Sequence, residues 1–144
     1  MSQSLLHQRP SDAAANDLLA DARVRELTFS LGTIATGLMA ARHYMPVSGR
    51  ILSIKGIRRV AGDDNATTVD IKLNGTSVLD AVMSFAQASG ANVVVDGVLD
   101  ADHASYEAVE GSVAFNTADY LECNVAAKEG GAPAGLSITV RYAV

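Results

Sequence analysis

The chain has 144 residues with a net charge of −5, 49% apolar residues, 5% aromatics and no tryptophan. That size and apolar content suit one domain with a real core and exclude global disorder. The scarcity of aromatics leaves Ala, Val, Leu and Ile to fill the interior, which favours thin sheet-on-sheet packing over a bulky ligand pocket. No run of about 18 strongly apolar residues occurs, so no spanning helix and no membrane partner are expected. Residues 1–10 lack a basic start followed by an apolar run and do not read as a secretory signal. The lone cysteine, Cys123, excludes an internal disulfide and alternates with Leu121 and Val125, which reads as a buried apolar role in a protein made in a reducing cytoplasm.

Residues 1–23 differ in character from the rest. Ser11 or Asp12 can cap a short helix through Ala13, Ala14, Ala15, Leu18 and Leu19, too short to be stable alone. The segment reads as an extended or short-helical arm that orders on docking, with Leu5, Leu6, Leu18 and Leu19 as its contact residues, or as a plain tail. From residue 24 the pattern becomes one of strands. Leu27, Phe29 and Leu31 alternate with polar neighbours, and Pro46 and Gly49 frame a turn before Arg50. Leu52 and Ile54 open the next strand, where a change of phase after Gly56 predicts a bulge. Gly62-Asp63-Asp64-Asn65 is a turn, Val69, Ile71 and Leu73 form a strand, and Asn74-Gly75 is a strong hairpin signal because both residues accept positive φ.

Residues 80–90 are ambiguous between a helical turn and extended structure, with extended structure preferred. Further strands are predicted at Val93–Leu99, Tyr106–Val109, Val113–Phe115 and Tyr120–Ala127, with a turn at Asp100–His103 and a flexible loop over Lys128–Gly135. The closing segment alternates cleanly: Leu136, Ile138, Val140, Tyr142 and Val144 on one side, polar residues on the other. The sum is an all-β domain over residues 24–144, an antiparallel β-sandwich or jelly roll of about eight strands.

Charge is unevenly placed. Residues 41–60 carry Arg42, Arg50, Lys55, Arg58 and Arg59 and no acid; residues 61–130 carry twelve acids against two lysines. This basic band reads either as a solvated strand face or as docking complementarity toward an acidic partner. Nucleic acid is disfavoured, because the band is short and Tyr44 is its only stacking ring.

No motif carries chemistry. Asp96, Asp100, Asp102 and His103 are metal-ligand types without the spacing of a calcium loop, and His7, His43 and His103 are scattered. There is no Gly-x-Ser-x-Gly elbow, and Gly130–Gly135 lacks the lysine and hydroxyl of a phosphate loop. The chain therefore reads as a non-enzyme without cofactor or metal.

Three segments carry a resemblance: Met45-Pro46-Val47-Ser48-Gly49-Arg50-Ile51, then Thr67–Thr76 with its Asn74-Gly75, then Phe115–Leu121 leading to Gly135–Val140. Over residues 44–144 this order resembles the jelly-roll cement, or decoration, proteins of tailed-bacteriophage capsids. The resemblance implies a structural protein of the virion exterior that forms a dimer or trimer and bridges neighbouring major capsid subunits. The alternative is a receptor- or carbohydrate-binding module of a phage fibre or tail, which would use Tyr44, Tyr106 or the Asp96–Asp102 region.

Overall fold

The computed structural model describes residues 23–39 and 42–144. The arm reading, with Leu5, Leu6, Leu18 and Leu19, lies outside the described residues. The rest is a sandwich of two antiparallel sheets. The first contains β1 (Val24–Thr33), β4 (Gly49–Val60), β8 (Val93–Gly97), β9 (Tyr106–Glu107), β10 (Ser112–Phe115) and β12 (Ala134–Ala143). The second contains β2 (Gly37–Leu38), β3 (His43–Tyr44), β5 (Ala66–Leu73), β6 (Thr76–Ser77), β7 (Met83–Ala86) and β11 (Tyr120–Ala127). Four of these twelve span only two residues, so eight remain as strands of useful length. The chain changes sheet after β1, β3, β4, β7, β10 and β11, which is the wrapping of a jelly roll.

The alternation predicted for each strand becomes the two faces of each sheet. Phe29, Ile54, Leu136, Ile138 and Val140 point inward from the first sheet and meet Val69, Ile71, Phe85, Leu121, Cys123 and Val125 from the second. Each such buried side chain contributes roughly 1.5–3 kcal/mol through removal from water. Asn74 and Gly75 have φ of 51° and 86° and join Leu73 to Thr76 in the two-residue hairpin that their permissive backbones predict.

Three local expectations are corrected, and the ambiguity over residues 80–90 is resolved. Gly56 is not a bulge; the register shift lies at Leu52, between the pairs Ser53–Arg141 and Ile51–Tyr142. Gly56 instead makes room: a Cβ there would stand 2.6 Å from Ile138 Cδ1 and 2.7 Å from Phe85 Cζ. The Tyr106–Val109 strand stops at Glu107, and a turn closed by Gly111 leaves Val109 98% exposed. Residues 80–90 combine both readings, with β7 extended and a 3-10 turn over Gln87–Ser89. The Lys128–Gly135 loop is not loose, because Glu129 within it is fully buried and Gly130 bonds Asp63 and Asp64.

Candidate functional site

The five residues of the basic band meet different fates. β4 alternates, so Ile54, Gly56 and Arg58 share its inner face while Lys55 and Arg59 point outward. Arg58 is thus fully buried and cannot belong to a surface patch, which corrects its reading as a docking residue. Burying a guanidinium is costly unless it is paired and hydrogen-bonded. Arg58 Nη1 donates to Glu129 Oε1 at 2.7 Å and to the carbonyls of Phe85 and Ala86 at 3.0 and 3.2 Å; Nη2 donates to the carbonyl of Gly90. Glu129 also accepts from Thr67 Oγ1 at 2.9 Å and from Gly62 N at 2.9 Å. One buried ion pair therefore ties the β4–β5 turn, the 3-10 turn and the β11–β12 loop together at one end of the sandwich. It is a structural latch.

The outward members are largely neutralised. Arg50 Nε lies 3.0 Å from Glu110 and Lys55 Nζ 3.6 Å from Asp96. Such exposed pairs are worth about 1 kcal/mol or less, but each removes positive charge from the field a partner would meet. Arg59 makes no ion pair among the described residues. The band is thus not a free basic surface.

Arg42 belongs to a different arrangement. β3 pairs with β11 so that Tyr44 stands opposite Tyr120 on the outer face of the second sheet, with ring centroids 5.6 Å apart and tilted by 55°. Arg42 lies 4.7 Å above the Tyr120 ring and donates from Nε to Glu122 at 3.0 Å. Glu122 raises the Arg42 pKa through this bond. Tyr120 is partly buried and clamped; Tyr44 is 59% exposed. The same face continues across β11 and β5 through Asn124, Asp70 and Lys72, and Asp70 accepts from Ser77 Oγ at 2.5 Å. This patch is the best-built surface feature among the described residues: an open aromatic ring beside a guanidinium that is fixed from two sides.

Sequence reasoning found Tyr44 and Arg42 but missed Tyr120, Glu122 and Glu129. A signal existed for the first two, since Tyr120 and Glu122 alternate with the apolar Leu121 and Cys123 and so had to face outward. For Glu129 there was none, because its partner lies 71 residues away in sequence.

The other sequence candidates are not brought together. Asp96 pairs with Lys55, and Asp100 accepts from the backbone of Asp102 in its own turn. Among the described residues, no group of three or more His, Cys, Asp or Glu could hold a metal. Two hollows open on the first sheet, one of about 240 Å³ beside Arg23, Arg50 and Val144, the other of about 420 Å³ beside Glu26, Lys55 and Arg141.

No family model and no curated protein matches this sequence. The native structure of a family 35 carbohydrate-binding module from Clostridium thermocellum is similar over 83% of this chain and 92% of that module, with 15% identity and a TM-score of 0.37. A likeness of that degree does not bear on what this chain binds.

Proposed function

We propose that this chain is a non-catalytic adhesion module that docks on a protein surface through Tyr44, Arg42 and Tyr120. Following the resemblance to decoration proteins, we assign that surface to the exterior of a tailed-phage capsid, where the module would bridge major capsid subunits. The observation that carries the reading is the tyrosine–arginine patch. Tyrosine and arginine are, with tryptophan, the side chains enriched among those that carry interface energy, and here the arginine is already held by a ring and a carboxylate. Ordering it on binding therefore costs less than ordering a free side chain. A module of this size contributes little by itself, but repetition over a lattice multiplies weak contacts. The test is attachment of the purified protein to capsids that lack it. Tyr44→Ala should weaken attachment by roughly ten- to a hundredfold, the range of an interface anchor. Unchanged occupancy would remove the patch from the account, and failure of the wild type to attach to any shell would remove the capsid assignment.

One observation favours a second reading, a carbohydrate-binding module: the open ring of Tyr44 can stack on a sugar. We rank it second because the guanidinium beside the ring is already engaged, Arg42 with Glu122. Sugar recognition needs such groups at hand beside the ring. Binding on a glycan array that is lost with Tyr44→Ala would reverse this ranking.

A further inference from the structure

Sheet edges are where one chain can hydrogen-bond to another, and folded proteins usually blunt them by keeping edge strands short, charged, bulged or covered. This sandwich follows the rule at almost every edge. In the second sheet the outer strands are β2, β3, β6 and β7, of two to four residues. On the far side of the first sheet they are β8 and β9, of five and two residues. β1 is the exception. It spans ten residues and pairs with β12 without a register shift from Val24 to Thr33, and no other described strand pairs with its second edge. From Leu27 to Thr33 it contains no proline, no charge and no bulge.

We infer that the open edge of β1 pairs antiparallel with β1 of a second copy, joining the two first sheets into one continuous sheet about a twofold axis at Phe29. The residue pattern is what selects a second copy. With Phe29 opposite its own counterpart, Leu27 stands opposite Leu31, Thr28 opposite Ser30, Glu26 opposite Gly32 and Arg25 opposite Thr33. Apolar meets apolar on the inner face, hydroxyl meets hydroxyl on the outer face, and no like charges oppose. The ladder with β12 already uses the same outer-face pairing: Thr28 Oγ1 lies 3.1 Å from Thr139 Oγ1, and Ser30 Oγ lies 3.4 Å from Ser137 Oγ. Leu27 and Leu31 are only half-buried on either side of the buried Phe29, and a partner strand would cover both. A twofold contact of this kind closes on itself and gives a dimer rather than a fibre.

The contact is small. The nine residues paired about Phe29 extend about 31 Å and a sheet layer is about 10 Å thick, so each copy buries about 310 Å² through the ladder, against about 800 Å² for a standard interface. Association is therefore weak and concentration-dependent. The inference stands independently of what the tyrosine patch binds.

Sedimentation velocity on the full chain, from about 1 to about 500 μM, should show a monomer–dimer equilibrium in the weak class that an interface of this area implies. Thr28→Lys with Ser30→Lys places like charges directly across the axis and should weaken the dimer by about tenfold or more. A second test alters no charge and does not depend on that variant folding. Opposed Cα atoms in such a ladder lie about 4.5–5.5 Å apart, within disulfide reach. An equal mixture of Thr28→Cys and Ser30→Cys should therefore cross-link to heterodimers on mild oxidation. Either variant alone should not, since like positions sit on the diagonal about 7–8 Å apart. Mixed cross-linking together with the loss on lysine substitution supports the pairing. A monomer at every concentration, with the edge left open or covered by residues 1–22, overturns it. So does a dimer that ignores the lysines and cross-links no better in the mixture than in either variant.

Discussion

Glu129→Gln tests the latch directly. The change keeps size but leaves one acceptor oxygen where the carboxylate has two, so it removes the charge opposite Arg58 and also one of the bonds accepted from Thr67 and Gly62. Both side chains of the pair are fully buried, which leaves the guanidinium without a counter-charge and without water. Breaking one side of such a pair costs roughly 3–5 kcal/mol. Unfolding entropy of about 2.1 cal/mol/K per residue, over the roughly 120 described residues, converts each kcal/mol into about 4 °C. The melting temperature should fall by about 12–20 °C, read by calorimetry or circular dichroism, with the folded baseline intact. Arg58→Met in the wild type should also be costly, because the carbonyls of Phe85, Ala86 and Gly90 each lose a donor. The double variant Arg58→Met with Glu129→Gln should be less destabilised than the sum of the singles, since it leaves no uncompensated charge. A shift under about 3 °C for Glu129→Gln would mean that water reaches Arg58, and the latch would lose its energetic role. Strict additivity would show that the two side chains do not act as a pair.

Three further outcomes follow from the packing and the patch. Arg42→Ala should weaken docking while lowering the melting temperature by less than Glu129→Gln does, because Arg42 is half exposed although Glu122 is largely buried; a shift as large as that of the latch would make it structural. Gly56→Ala should destabilise by about 1–3 kcal/mol through overpacking against Ile138 and Phe85, measured by denaturant melts; a neutral result would mean that these side chains yield freely. Burial pushes the Cys123 thiol far above its ordinary pKa, with Asp70 adding to the effect. The thiol therefore stays protonated in the fold through pH 7–9, and a thiol reagent should modify it at the rate of unfolding, with no acceleration over that range beyond what unfolded chain shows; rapid labelling of native protein would refute its burial.

The strands were legible because their evidence is local. Leu27–Leu31, Val69–Leu73, Tyr120–Ala127 and Leu136–Val144 alternate with a period of two, and one buried face is enough to impose that pattern. The Asn74-Gly75 turn was legible for the same reason, as two adjacent residues decide its backbone. The candidate site was legible only in part. Tyr44 and Arg42 stood out as residue types, but their relation to Tyr120 and Glu122 depends on which strand lies beside β3. In β4, Arg58 falls in phase with the inward Ile54, and this phase rather than its charge fixes its place.

Composition and periodicity by themselves determined that this is a two-layered β protein with turns at known places, since hydrophobic alternation acts over neighbouring residues; the core itself adds Phe29, Phe85, Phe115 and three methionines to the aliphatic residues and, among the described residues, takes no alanine. Only the tertiary structure decided which charges are surface and which are core. Arg58 and Glu129 are 71 residues apart in sequence and 2.7 Å apart in space, and a buried charge is tolerable only where the fold delivers its partner. The same holds for β1: its sequence shows a strand, but that no other described strand lies along its second edge is a property of sheet order, fixed by where the described strands came to lie.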